Sequence, residues 1–212
     1  MIKMLRRLLY TFVIRPFITI ILGLNVRRIE NLPKEGPAVV VANHNSHLDT
    51  LVLMTLFRGK TIHQIRPIAA ADYFLKNKVI SWFSLNMIHI IPLERKPKDK
   101  DRLFDGIYEA LDKNQIVILF PEGSRGEPEV VSKLKSGIYY LLRERPEVPV
   151  FPVFMHGLGK SLPKGERTFV PFFCDVFIGE GFHWKPDKKE FMGNVEEHMR
   201  ALAAEGNFKT WE

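Results

Sequence analysis

Val39-Val40-Val41-Ala42-Asn43-His44-Asn45-Ser46-His47-Leu48-Asp49-Thr50 opens as an unbroken β-branched run, turns polar, and leads into the apolar stretch Thr50 to Phe57. A run apolar at every position reads as a strand buried on both faces, which is the habit of parallel sheets with helices on either side. The same alternation continues outward. Strands are expected at Ala38 to Ala42, Ile65 to Ala70, Met87 to Pro92, Ile116 to Phe120, Val148 to Phe154 and Thr168 to Ile178. Helices are expected at Thr50 to Phe57, Tyr73 to Phe83, Asp101 to Lys113, Val131 to Arg143 and Phe191 to Ala204. This order predicts an α/β fold, a single domain with a mixed, mostly parallel sheet flanked by helices.

The 212 residues, 46% of them hydrophobic, suffice for one core, and no linker or repeat divides them. The expected division is a helical membrane-associating segment, 1–30, and one domain, 31–212. Cys174 is the single cysteine, so neither an internal disulfide nor a cysteine zinc cage is available, which fits a reducing compartment. The net charge of +7 suits nucleic acid, an anionic membrane or an acidic substrate. No helix-turn-helix, zinc-finger or RNP pattern accompanies the basic residues, which argues against nucleic acid.

The N-terminus favours a membrane. Two apolar runs, Leu8 to Ile14 and Phe17 to Leu24, are separated by Arg15-Pro16 and bounded by Lys3, Arg6, Arg7, Arg27 and Arg28. Each falls short of the roughly 20 apolar residues that a spanning helix needs. They are expected to lie in the headgroup layer, apolar side chains down and cations on lipid phosphates, on the cytoplasmic side as a monotopic or peripheral anchor. A signal peptide would have neither the Arg15-Pro16 interruption nor the missing Ala-x-Ala site. Helices that merely cover a soluble core are the other alternative.

His44 leaves the end of a strand and Asp49 falls in the first turn of a helix. Five residues on a continuous helix would separate the side chains by roughly 140°. A turn at Asn45-Ser46 lets the carboxylate fold back onto the imidazole Nδ1–H, leaving Nε2 as a base. Ser46-His47-Leu48-Asp49 also satisfies a capping-box pattern, with Ser46 as the cap, so the pair alone fits both a helix start and a catalytic dyad. His44 and His47 without a third ligand do not make a metal site. Phe120-Pro121-Glu122-Gly123-Ser124-Arg125-Gly126 follows a second strand. Its glycines let backbone N–H groups face an anion, and Arg125 offers a planar cation. The glycine spacing about Ser124 is not that of a nucleophile elbow.

His44-x4-Asp49 followed by Phe120 to Arg125 resembles the glycerolipid acyltransferase family that includes 1-acylglycerol-3-phosphate acyltransferase, the PlsC type. Ile91-Pro92-Leu93-Glu94-Arg95 is similar to its second block, Val148-Pro149-Val150-Phe151-Pro152-Val153 to its fourth, and Lys133-Leu134-Lys135-Ser136-Gly137 to the Phe-Lys-x-Gly stretch after its third. The resemblance implies acyl transfer from a thioester, acyl-CoA or acyl carrier protein as co-substrate, to a lysolipid hydroxyl without a resident cofactor. It implies His44 and Asp49 as the catalytic pair, Arg95, Glu122, Gly123, Ser124 and Arg125 at the acceptor headgroup, and the Pro152 strand beside the acyl groove. Two departures bear on the acceptor: Ala71 stands where members acting on lysophosphatidate commonly carry lysine, and Glu94 adjoins Arg95. A lysophospholipid hydrolase and a lipid-binding module are the alternatives.

Overall fold

The five residues Ala38–Ala42 form a strand whose side chains are all buried, as the unbroken apolar run predicts. A computed structural model describes residues 1–46, 48–94, 99, 101–126, 132–161 and 173–206. In chain order these comprise α1 (Ile2–Leu9), a π turn (Tyr10–Ile14), α2 (Arg15–Ile21), β1 (Asn25–Arg27), β2 (Ala38–Ala42), α3 (Asp49–Leu56) and β3 (Ile65–Ala70). Next come α4 (Ala71–Phe74), α5 (Lys78–Phe83), a second π turn (Ser84–Ile88), β4 (Ile91–Leu93), α6 (Asp105–Asp112) and β5 (Ile116–Leu119). The chain closes with α7 (Gly137–Arg143), β6 (Val150–His156), α8 (Leu158–Ser161), β7 (Asp175–Ile178) and α9 (Lys188–Glu205).

Among the described residues the strands form one seven-stranded sheet in the order β1-β7-β6-β2-β5-β3-β4. All pairs are parallel except β6 with β7, so the sheet is mixed and mostly parallel, as expected. Its inward residues alternate between two cores. Ala38, Val40 and Ala42 pack with Tyr10, Ile18, Leu22 and α3 on one face. Val39 and Val41 pack with α6, α7 and α9 on the other. The chain therefore leaves β2 toward the first face, through α3, and leaves β5 toward the second, through α7. Adjacent parallel strands whose connections diverge open a crevice beyond their carboxyl ends, and loops 43–48 and 120–126 meet there.

Several boundaries differ from the sequence reading. The expected strand Met87 to Pro92 is the end of a helix: the π turn buries Ser84 and Met87, His89 turns left-handed (φ 70°, ψ 40°), and only Ile91–Leu93 is strand. The helix expected over Tyr73 to Phe83 is split, because the Asn77 carboxamide accepts the Val79 and Ile80 amides and restarts it as α5. The helix around Ile138 begins at Gly137, since Lys135 N–H donates to Pro121 O instead. Residues 162–172, part of the last expected strand, lie outside the described residues.

The N-terminal segment differs most. Helix continues through Pro16 because the π turn before it lets Arg15 N–H donate to Tyr10 O and places the proline in a first turn, where no N–H is needed. Arg6, Tyr10, Ile18 and Leu22 are buried at intervals of four or eight residues. On a uniform helix that spacing would drift around the axis by about 40° every four residues, and the wider turn takes up part of the drift.

Two of the cations, Arg6 and Arg15, point inward. Arg6 is 3% exposed and donates to Ile65 O, Ile88 O and His89 Nδ1. Arg15 donates to Thr55 O and Phe57 O at the end of α3, Arg28 to Ile178 O and Glu205, and Arg27 lies over the Phe177 ring. Asn25–Arg27 is an edge strand on β7. Arg6 and Arg15, assigned above to lipid phosphates, are thus committed to the fold, whereas Arg27 is exposed and Arg28 partly so.

Burial, with Arg66, Arg6, His63 and Lys3 around it, pushes His89 down to about 3. The folded chain therefore binds fewer protons than the unfolded chain below the ordinary histidine range, and stability is lost as pH falls through that window. His63 and His156 are lowered in the same direction. His89→Asn, which tolerates the left-handed conformation, is expected to lose less melting temperature than wild type between about pH 7.5 and about pH 5 in paired thermal melts.

Candidate active site

Asn43 fixes the end of β2. Its carboxamide donates to Met155 O (2.8 Å) and accepts Met155 N–H (2.7 Å), tying the strand end to β6. His44 then emerges on the face that carries α3, and its ring stacks on Phe120 with centroids 4.3 Å apart and planes 22° from parallel. Glu122 Oε1 accepts the His44 amide (2.9 Å), and His44 O accepts the Gly126 amide (2.9 Å). The loop after β5 thus grips the histidine from both sides of its peptide.

Asp49 faces it from the first turn of α3. A single oxygen, Oδ2, accepts the Asn45 amide (2.7 Å), the Ser46 amide (2.9 Å) and His44 Nδ1 (2.8 Å). Asp49 is 1% exposed, so this carboxylate is withdrawn from water and compensated by three N–H donors. The aspartate both orders the loop amides and orients the imidazole. Ser46 is not the cap expected of it. The residue before α3 is Leu48, whose side chain makes no cap hydrogen bond, and among the described residues Ser46 Oγ accepts the Leu48 amide at 3.3 Å. With Nδ1–H committed to Asp49, Nε2 is the basic nitrogen, and it has no hydrogen-bond partner among the described residues.

The other expected site residues divide. Glu122 is buried. Burial pushes its carboxyl upward, while hydrogen bonds from the His44 amide and from Ser132 pull it back. Gly123 has φ +71°, and a β-carbon there would stand 2.6 Å from Lys135 Nζ. Glycine takes this turn without strain and leaves room for that ammonium. Ser124 is exposed and Arg125 half-buried on the same loop. Pro152 is elsewhere: it pairs with Val41, and its ring packs over Gly179 on the side where Leu202 of α9 lies. Arg95 lies outside the described residues. Sequence reading missed Asn43 and assigned Lys135 no role. The adjacency of Asn43 to His44 was a visible signal, whereas the placement of Lys135 depends on tertiary folding.

Comparison with known proteins gives a family and a fold. A family model, Acyltransferase, matches residues 23–156. The chain is 32% identical over 146 residues to the chloroplastic 1-acyl-sn-glycerol-3-phosphate acyltransferase of Arabidopsis thaliana, a match spanning 68% of this chain and 39% of that protein. It is 29% identical over 161 residues to the 1-acyl-sn-glycerol-3-phosphate acyltransferase of Bacillus subtilis, covering 76% and 74% of the two. The chain spans about two fifths of the length of the plant relatives it matches. The crystal structure of PlsC, the 1-acyl-sn-glycerophosphate (LPA) acyltransferase from Thermotoga maritima, has the same fold, with a TM-score of 0.80 at 24% identity over 100% of this chain and 83% of that one.

The three donors on one oxygen set a stability test that is independent of any reaction. Asp49→Ala strands buried N–H groups and is expected to cost about 2–4 kcal/mol in urea unfolding. Asp49→Asn can present its carbonyl to the same donors and is expected to cost less than about half of that.

Proposed function

The chain belongs to the acyltransferase family, and on that premise we propose that it transfers a fatty acyl group from a thioester, on coenzyme A or acyl carrier protein, to the free hydroxyl of a lysophospholipid such as 1-acylglycerol-3-phosphate. The observation that carries the reading is the imidazole held through Nδ1 by a buried carboxylate, with Nε2 unengaged. Such a base suits a substrate nucleophile better than a protein one. Cys174 is fully buried at the start of β7, and Ser124 is exposed on the loop beyond Glu122.

In the proposed reaction, the acceptor hydroxyl attacks the thioester carbonyl carbon as its proton passes to His44 Nε2. Asp49 holds the tautomer and balances the imidazolium. The tetrahedral intermediate collapses with loss of the carbon–sulfur bond, and the imidazolium returns the proton to the departing thiolate. An ester and a free thiol result, and no acyl-enzyme or resident cofactor is involved. Gly123, Ser124 and Arg125, with Arg95, are assigned to the acceptor headgroup. Glu122 acts by holding the His44 peptide. Ala71 begins α4 and contributes no cation, so Lys135 against Gly123 is the ammonium we assign to the acceptor phosphate.

The acceptor is a lipid, and we place the enzyme at an anionic membrane surface on the cytoplasmic side. The N-terminal helix is inverted relative to a soluble one: Arg6 is buried, while Phe12 is 71% and Ile20 77% exposed. Large exposed apolar side chains alongside a buried cation favour an apolar medium on the outer face. No described helix is long and apolar enough to cross a membrane, which fits a peripheral or monotopic attachment.

Purified protein incubated with acyl-CoA or acyl carrier protein and a lysolipid panel, with products identified by mass spectrometry, is expected to give diacylated phospholipid. His44→Ala is expected to lower the rate by roughly 10²–10⁴-fold. Wild-type activity in that variant, or release of free fatty acid without acylation of the acceptor, would overturn the assignment. Lys135→Ala is expected to raise KM for lysophosphatidate about tenfold or more, and to leave a neutral monoacylglycerol acceptor unaffected, because one charge-assisted phosphate contact is removed.

A further inference from the structure

We propose that residues 73–85, on α4, α5 and the turn that follows, are a second membrane-contacting element, inserted beside the N-terminal helix into the same lipid surface. The proposal rests on the membrane-surface reading above and extends it to a segment far from the N-terminus. Tyr73, Leu75, Val79, Ile80, Trp82, Phe83 and Leu85 are all exposed, Val79 by 76% and Trp82 by 50%. Seven large apolar side chains within thirteen residues exceed the scattered exposure ordinary on a soluble surface.

Charge and placement identify the occupant. From Tyr73 to His89 there is no aspartate or glutamate, and Lys76 and Lys78 flank the apolar cluster. Residues 1–29 likewise carry no acid. Arg6 joins the two segments, since its buried guanidinium donates to Ile88 O and to His89 Nδ1 just beyond Leu85. The segment carrying the patch is thereby tied to α1, where Ile2, Met4, Leu5 and Leu8 are open to solvent. An anionic lipid surface satisfies every part of this: acyl chains take the aliphatic side chains, the interface takes Trp82 and Tyr73, and lipid phosphates take Lys76 and Lys78. A second copy of the chain docked about a two-fold axis would instead set these lysines against their own like charges.

Sedimentation with vesicles of phosphatidylglycerol and phosphatidylcholine tests the premise, and the fluorescence of Trp82 tests the proposal. The chain has three tryptophans, so Trp184→Phe with Trp211→Phe isolates Trp82. Its emission is expected to shift to shorter wavelength on the vesicles and to be quenched by phosphatidylcholine brominated along its acyl chains. Val79→Glu with Trp82→Glu, at exposed positions, is expected to lower vesicle partitioning about tenfold or more with an unchanged melting temperature. If the protein sediments while Trp82 stays unquenched and the double variant binds like wild type, contact is confined to the N-terminal segment and the proposal fails. It also fails if vesicle-free protein is a dimer that the double variant dissociates. If wild type does not sediment at all, the membrane-surface reading fails with it.

Discussion

One carboxylate oxygen organises the site. Asp49 Oδ2 gathers two loop amides and the His44 imidazole, and these three bonds turn a five-residue separation into contact. A buried carboxylate is tolerable only with such compensation, so the loop conformation and the histidine orientation stabilise each other. The constraint extends outward. His44 is positioned by Asn43 on β6 and by Glu122 and Gly126 from the loop after β5, so three neighbouring strands converge on one side chain. That convergence exists because β2 and β5 are adjacent and send their chains to opposite faces.

A second constraint governs the opposite end of the sheet. Arg6 and Arg15 supply donors to carbonyls that would otherwise be left at the ends of helices and strands: Ile65 and Ile88 for Arg6, Thr55 and Phe57 for Arg15. Burial lowers Arg6 to about 10, so it remains a cation at neutral pH among neighbours that are neutral or basic. His89 accepts the remaining guanidinium bond in its neutral form. Helix α1 is thereby fixed by its polar side, and its apolar side is left outward. The inversion follows from hydrogen bonding in the core rather than from hydrophobic burial.

The strands most legible in sequence are those with a neighbouring strand on both sides. Ala38–Ala42, Ile65–Ala70 and Ile116–Leu119 lie inside the sheet, and their apolar runs match the structure within a residue. The His44 and Asp49 contact was also legible, because the loop and the helix start both carried local signals. What escaped depends on partners distant in sequence. Asn25–Arg27 is three residues long with exposed ends, and only β7 makes it a strand. The arginines near the N-terminus read as surface cations because nothing local marks the carbonyls they reach. Met87 to Pro92 misled because a buried helix end and a strand are equally apolar over so few residues.

The surface proposed to face lipid begins at the end of the molecule that holds the dyad. β3 lies beside β5, parallel to it, and its carboxyl end passes directly into α4 and α5. The exposed side chains from Tyr73 onward therefore begin at the rim into which the Phe120 loop and His44 project. His44 also stands on the sheet face covered by Tyr10, α2 and α3, the face shared with the N-terminal segment. A lysophospholipid presents its hydroxyl a few bonds from its phosphate and keeps its acyl chain in the bilayer. With attachment on this face, the proposed reaction requires the headgroup to rise to Nε2 while the chain stays in hydrocarbon, and the thioester can approach from water. A site on the α9 face would force the entire lipid out of the membrane, at a cost that grows with every methylene of the chain. The placement of the apolar surface is thus part of the chemistry proposed for the dyad, since it decides which of the two substrates must leave its own phase.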